Sequence, residues 1–600
     1  MDSREVYEKR VKYYGRLVDK LSKNIACISN LRLVVVVAII ASVSFVNSME
    51  RYLISWVISL FGTILFVYLV CRSRRLKEKY KYVSILKKVN VDSIMRLEGR
   101  WTEFNDKGDD FQDENHNFSY DIDILGQGSL FQWINSGNTY MGRIKLADIL
   151  THPYSDKETI IKRQKAISEL STKRWWRHKL QVEGRMVTEK SRNLEVLINW
   201  AKTKHLLYMN SWMIIVFRAL PLVTVGTFLL AFVANSIIKS IPIILIIFQF
   251  MLIFINIKKR NREFALVYKY KKSILAYRRI LRHFEKVNFQ SEYLRELKTS
   301  LRNNKGLSAM RQLKRLEDLV DRIENRNNML FLPINVISLW DYQCLIELER
   351  WKSESGLILE VWLQKIGEIE ALSSLGTIAY DYPNWTIPKI TEKPSILQVK
   401  KIGHPLLANK RVCNDVNIQD PFRILLITGS NMSGKSTFLR TIGINLILAY
   451  VGAPVCASNM TCSIFSIHTC MRISDNLEKG ISSFYGELLR IKEIVKATKE
   501  DKQVFFLLDE IFKGTNSYDR HIGAKKLIKK LQNNGAIGLV STHDLELGIL
   551  EKENTIKNYH FQEYYKDDQI CFDYKLRPGI STTRNALHLM KIIGIEEEID

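Results

Sequence analysis

Three short stretches of this chain carry residue types and spacings suited to chemistry on a phosphorylated substrate. In ILLITGSNMSGKSTFLRTIG, Gly429 and Gly434 are followed at once by Lys435 and Ser436, the spacing G-x-x-x-x-G-K-S set between an apolar strand and a helix. The glycines let the backbone of Gly429, Ser430, Asn431, Met432, Ser433 and Gly434 curl until its N–H groups face phosphate oxygens, and a helix opening through Lys435, Ser436 and Thr437 adds the positive end of its dipole. Lys435 supplies a mobile cation and Ser436 an oxygen for Mg2+. Downstream, the apolar run VFFLLDEI ends in Asp509 and Glu510. A carboxylate at a strand tip can hold Mg2+ while its neighbour deprotonates a water aimed at the γ-phosphate, so Asp509 is assigned to the metal and Glu510 to the base. The run IGLVSTH then delivers His543 to the same sheet edge, where it can sense the γ-phosphate. An Asp-Glu pair alone is usually a solvated strand end; only its partnership with the glycine loop gives it this reading.

These residues need a parallel sheet to bring them together. From about Tyr380 the chain supplies one: Pro383, Pro388 and Pro394 break helices, and short runs such as RILLIT and VFFLLD alternate with helical stretches, the pattern of buried parallel strands. Before that point the texture is helical. Residues 82–210 are mixed, with an acidic, Asn-rich loop near Asn105 to Asn117 and a helix that Asp156 is placed to cap. Residues 258–375 read as charged helices with apolar residues at three- and four-residue intervals, as in LEDLVDRIENRNNML.

Two pairs of apolar runs interrupt this. Uncharged residues fill the interval from Arg32 to Glu50 and again from Arg51 to Arg72, and a second pair covers Ala219 to Ile238 and Ser240 to Ile257. Each approaches the roughly 20 residues that a helix needs to cross about 30 Å of hydrocarbon. Lys and Arg crowd the outer flanks, at residues 1–32, 72–81 and 258–262, whereas the loops within each pair hold only Arg51 and Lys239. Two hairpins with their termini and bulk in the cytosol satisfy the charge rule. Pro221 and Pro242 weaken the second pair as spans without excluding it.

Six hundred residues exclude a small disulfide scaffold, and a formal net charge of +26 favours anionic partners without choosing among phosphates, nucleic acid and membrane lipid. The 8 cysteines lack metal-site spacing even in the cluster Cys456, Cys462 and Cys470, so buried reduced thiols are expected.

Taken together, TGSNMSGKSTFLR (428–440), SDNLEKGISSFYGEL (474–488), LLDEIFKGTNSYD (507–519) and STHDLELGIL (541–550) resemble the MutS mismatch-repair ATPase family, a branch of the ABC-type ATPases. GHPLL, which contains His404, resembles the segment around the adenine, with Arg411 where an aromatic ordinarily stacks on the base. YKLRPGISTTRNALHLMKIIGI (574–595) resembles the C-terminal dimer contact, and 128–170 is similar to the start of the helical lever. The resemblance implies a homodimer with two composite ATP and Mg2+ sites, in which Ser482 and Ser483 reach the partner's γ-phosphate, Asn431 contacts phosphate, and Thr515 and Asn516 link the sites. Two departures stand out. Ser430 replaces the usual Pro, and no Phe-x-Glu wedge of the mismatch-reading domain precedes residue 120.

The expected fold class is therefore multidomain: an α/β P-loop ABC-type ATPase domain, an all-α lever or core region, and four transmembrane helices in two hairpins. The expected division is a basic cytosolic N-terminus (1–32), hairpin 33–71, helical region 72–218, hairpin 219–257, helical region 258–375 and ATPase domain 376–600. The expected function is an Mg2+-dependent ATPase, multi-pass in the cytoplasmic membrane with its ATPase domain in the cytosol, that engages DNA through basic lever helices such as 260–286. The rival is a membrane-remodelling or transport-coupled ATPase that binds no nucleic acid.

Overall fold

The computed structural model describes residues 2–186, 193–203, 210–231, 238–303, 306–327, 331–408, 411–472, 483–500, 503–566 and 569–581. The chain opens with two antiparallel helices, Ser3–Ser48 and Tyr52–Leu97, each of 46 residues and so about 69 Å long. The basic N-terminus is thus not a separate segment; it forms the first two thirds of a helix that runs on into the apolar run. Toward the stem, Tyr14, Leu21, Leu76, Val83 and Leu86 pack together with Val182. Tyr7 is fully buried, and its hydroxyl donates to Asp381 Oδ1 at 2.6 Å, fixing the stem to the helix Leu359–Asp381. Toward the tip the same two helices expose Leu33, Val37, Trp56, Phe61 and Ile64.

The second apolar pair is a helix Ser211–Leu230 and a helix Ile241–Phe254 that bends by 66° into Ile257–Lys269. The first begins ahead of Ala219 because its opening turns pack on protein: Phe217 stacks on Tyr342 at 4.2 Å, and Arg218 pairs with Glu347 at 2.8 Å. Pro221 lacks the N–H that would bond the Phe217 carbonyl, and Gln343 Nε2 donates to that carbonyl at 2.7 Å. The bend is equally well satisfied. Buried Arg260 donates to the carbonyls of Ile253 and Ile255, Tyr342 Oη donates to that of Leu252, and Arg260 is paired with buried Asp341. By length and composition Ser3–Ser48, Tyr52–Leu97 and Ser211–Leu230 can each cross a membrane, and the bent pair would make a fourth among the described residues.

Around the central helix Leu359–Asp381 pack Tyr140–Thr151 and Lys157–Thr172, the latter capped by Asp156 Oδ1 accepting from Thr159 N at 2.7 Å. The basic stretch 260–286 turns Phe264, Tyr270, Tyr277 and Phe284 into the core. Those aromatics do not alternate with cations on one open face, so an argument for nucleic acid from that pattern falls away.

Among the described residues the C-terminal region has ten strands: β1 (Lys389–Ile390), β2 (Leu397–Ile402), β3 (Asn414–Ile418), β4 (Ile424–Thr428), β5 (Asn459–Cys462), β6 (Ser466–Cys470), β7 (Val504–Asp509), β8 (Ile537–Thr542), β9 (Ile556–Lys566) and β10 (Gln569–Pro578). A six-stranded sheet runs β10-β9-β4-β8-β7-β6, parallel from β9 to β6, with β10 antiparallel at its edge. A smaller sheet, β1-β5-β2-β3, lies beside it. Strands β4, β7 and β8 are buried throughout, which explains their continuous apolar runs. The acidic segment 105–125 is stitched to edge strand β6: Thr469 N donates to Asn117 O at 2.8 Å, and buried Asp121 accepts from Thr469 Oγ1, Met471 N and Arg472 N. All eight cysteines are free; Cys344, Cys456, Cys462 and Cys470 are buried, while Cys27 and Cys71 are exposed. Burial pushes the Cys456 and Cys462 thiols up to about 12.

Candidate nucleotide site

Strand β4 runs directly into the glycine loop, and the helix Lys435–Tyr450 follows. Gly429 has φ 147°, and a Cβ there would lie 2.9 Å from Ser433 Oγ and 3.0 Å from the Phe561 carbonyl. Gly434 has φ 102°, and its Cβ would meet the Tyr574 ring at 3.0 Å. Both positions therefore exclude side chains and leave a backbone cradle. Lys435 is only 4% exposed, and its ammonium donates to the carbonyls of Gly429 at 2.9 Å and Ser430 at 2.8 Å. Burial lowers its pKa, which acidic neighbours led by Glu510 partly oppose. Ser430, in place of proline, donates from Oγ to buried Glu563 at 3.0 Å. Ser433 Oγ is buried without a hydrogen-bond partner.

Parallel pairing of β7 with β8 sets Asp509 opposite Ser541, whose hydroxyl donates to Asp509 Oδ1. Glu510 leaves the strand at φ 50° while its N–H bonds Ser541 O at 3.0 Å, which turns its side chain toward the loop. Around its carboxylate stand His543 Nε2 at 2.5 Å, Lys513 Nζ at 2.9 Å and Lys435 Nζ at 3.9 Å. The hydrogen bond from His543, with further help from Lys513, holds the Glu510 pKa down at about 2 against the opposing effect of burial. His543 Nε2 also lies 2.7 Å from Asn431 Oδ1. The structure thus brings together Lys435, Asn431, Glu510 and His543 from three different strand ends.

Beside the loop lies a cavity of about 400 Å3 whose lining includes His404, Arg411, Asn431, Ser436, Thr437 and Tyr574. Burial, reinforced by Arg440 and Arg411, lowers His404 to about 4, so it stands neutral at physiological pH. Arg411 is turned aside from a simple stacking role: it donates to the carbonyls of His404 at 3.0 Å and Pro405 at 3.1 Å, and its guanidinium lies over the Trp385 ring. Met432 is exposed at the loop's tip.

Sequence reasoning missed Tyr574. A register shift in β10 between Phe572 and Leu576 and a φ of 55° bring it to the cavity, and Asn414 pins the irregularity by donating to Tyr574 O at 3.0 Å and accepting from Leu576 N at 2.9 Å. Asn414 opens the triplet NDV (414–416), which with GHPLL resembles the segment around the adenine. Also missed was Glu487, on the helix Ser483–Ala497, whose carboxylate accepts from Phe512 N just beyond Glu510. Ser483 opens that helix; Ser482, and the dimer-contact segment from residue 582 onward, lie outside the described residues. Asn516 caps the helix Ser517–Asn533 through Asp519 N at 2.8 Å.

The residues present fit a nucleoside triphosphate with Mg2+. The cradle admits no side chain, a buried ammonium rests on replaceable carbonyl contacts, and an acidic strand tip stands opposite. Among known proteins, residues 425–599 match the family model for MutS domain V. The chain is 31% identical over 269 residues to the DNA mismatch repair protein MutS of Methanosarcina acetivorans, covering 43% of this chain and 29% of that protein. It is 33% identical over 245 residues to that of Persephonella marina, covering 39% and 27%. Against the Listeria innocua protein it is 32% identical over 268 residues, covering 43% and 31%. The similarity therefore spans less than a third of the length of each of these relatives.

Proposed function

We propose, from its likeness to MutS proteins over the C-terminal part of the chain, that this is a membrane-anchored, dimeric, Mg2+-dependent ATPase of that family that engages DNA. The observation that carries the ATPase reading is the convergence of Lys435, Asn431, His543 and Glu510 on one point beside the glycine loop. The loop's N–H groups and Lys435 bind and orient the phosphates. Asn431 and His543 stand where the terminal phosphate would lie, and Glu510 takes the proton of the attacking water. Ser436 and Asp509 would hold Mg2+, which when bound neutralises charge building on the phosphate oxygens. ABC-type dimerisation rests on the family resemblance, with Ser482 and Ser483 facing the partner's phosphate.

Membrane anchorage is supported by the exposed apolar ends of Ser3–Ser48 and Tyr52–Leu97 and by the bent second hairpin. On this reading the protein sits in the cytoplasmic membrane with the nucleotide site in the cytosol. DNA as partner is supported by the names of the relatives and by a net charge of +26. The purified full chain should bind ATP, and its turnover should rise with duplex, mismatched or branched DNA at low salt. ATP turnover indifferent to every DNA at every salt concentration, in a chain resisting carbonate extraction from vesicles, would transfer the reading to a membrane-remodelling or transport-coupled ATPase, the class that the two apolar hairpins favour.

A further inference from the structure

Between Asn327 and Trp340 the chain carries no charge, a run of NNMLFLPINVISLW. Fourteen apolar or neutral residues are too few to span a bilayer, and such a run is usually a core helix or an interfacial one. Its helical part, Phe331–Ser338, is not a core helix. It packs on Ser211–Leu230 and Ile241–Phe254 with one face, yet exposes Ile334 (52%) and Ile337 (42%) on the other, and Leu332 (58%) at its first turn. On the packed side, buried Asn335 Oδ1 accepts from Asp341 N at 3.0 Å, which ties the helix to the Arg260–Asp341 pair at the bend.

We propose that Phe331–Ser338 is a third membrane-seated element, lying in the lipid interface beside the second hairpin. This deepens the membrane reading above and rests on it. Three observations favour lipid over another occupant. The helix packs on both helices of the hairpin, which expose apolar residues of their own such as Leu222 and Ile243. Two residues past its end stands Trp340, half-buried and held by its Nε1 donating to the backbone carbonyl of Arg322 at 3.2 Å, an amphipathic aromatic of the kind found at bilayer edges. Beside it lies a groove of about 750 Å3 whose lining mixes apolar Phe264, Phe331 and Leu332 with Glu324 and Arg326, the latter paired with Asp341 at 2.8 Å, wide enough for an acyl chain. A stretch that sequence reading places within charged lever helices thus becomes part of the anchor.

The test uses the full chain in phosphatidylcholine vesicles with a benzophenone amino acid at Ile334 or Ile337, at Leu222 as a hairpin control, and at Tyr518 as a control on the nucleotide-binding side. Lipid adducts at 334, 337 and 222, with none at 518, are the expected result. Adducts at 222 but at neither 334 nor 337 overturn the proposal and leave the membrane reading standing. Chain-to-chain adducts at 334 and 337 overturn it in favour of a second copy. No lipid adduct at any position overturns both.

Discussion

His543 Nε2 lies 2.5 Å from Glu510 Oε1 and 2.7 Å from Asn431 Oδ1. With two acceptor oxygens in reach, Nε2 is the donor, and Lys513 Nζ at 2.9 Å and Lys435 Nζ at 3.9 Å put two cations beside the carboxylate. Glu510 is thereby kept ionised but occupied, and a carboxylate held near pKa 2 is a weak base until His543 and Lys513 release it. Phosphate arriving in the loop competes for exactly those donors. Glu510→Gln should leave ATP affinity within a few-fold while turnover falls by about 10² to 10⁴. Nucleotide binding by filter retention and phosphate release measured side by side decide it; turnover that survives would remove Glu510 as the base.

Tyr574 reaches the cavity only because Asn414 holds the shifted β10 register. Asn414→Ala removes two hydrogen bonds at about 1 kcal/mol each and should also weaken ATP binding, as Tyr574→Ala does, by up to about tenfold. Tyr574→Phe should bind normally. Calorimetric titration of the three variants separates the cases: an Asn414→Ala protein with unchanged affinity would show that the register is not what presents the ring.

What the sequence made legible follows the physics of each element. Lys435, Asp509, Glu510 and His543 sit at the ends of short, wholly buried parallel strands, where an apolar run followed by a polar residue marks the place by itself. Tyr574 and Glu487 were illegible because neither is placed by periodicity; one depends on a strand irregularity and the other on a contact between a helix and a loop. Helix ends in the apolar segments were misjudged for a related reason. Hydropathy marks where charge begins, whereas Ser211–Leu230 starts where Phe217 finds Tyr342. The exposed apolar face of Phe331–Ser338 was masked by the charged helices on either side of it.

Asp121 is 1% exposed and satisfies Thr469 Oγ1, Met471 N and Arg472 N at the end of β6, where the chain enters the segment carrying Ser482. Asp121→Ala strands these donors and should cost about 3 kcal/mol in unfolding free energy. Asp123, paired with Arg472 at 2.6 Å on a half-exposed surface, should cost under about 1 kcal/mol when replaced by Ala. If the clip also orients the following segment, Asp123→Ala lowers turnover more than stability. Denaturant melts and turnover measured on one preparation would expose the opposite ordering.

Arg163 is completely buried. It donates to Val451 O at 3.1 Å, at the end of the helix that starts with Lys435, and pairs with Glu368 of the central helix. Arg163→Met leaves buried Glu368 with only Tyr293 Oη at 3.1 Å and Lys145 at 3.9 Å, and should destabilise by about 3–5 kcal/mol, while adding Glu368→Leu should recover much of the loss. A double variant no more stable than the single one would mean that the Val451 contact, not the buried ion pair, dominates.

His404 gives stability a defined pH dependence. It is 9% exposed, its Nδ1 accepts from Leu406 N at 3.3 Å, and burial followed by the nearby Arg440 and Arg411 lowers its pKa to about 4. In the unfolded chain the ring titrates near 6.5. Between those values the unfolded state binds a proton that the native state refuses, so stability is full above about pH 6.5 and declines as pH falls toward 4. The window is worth on the order of 3 kcal/mol at the usual ~1.4 kcal/mol per pH unit. His178, lowered chiefly by burial, adds to the same slope. Thermal melts from pH 7 down to pH 5 should therefore show falling stability, and His404→Asn should flatten the curve while His178 keeps part of it. An identical slope in wild type and His404→Asn would mean that His404 is not the buried neutral base this geometry requires.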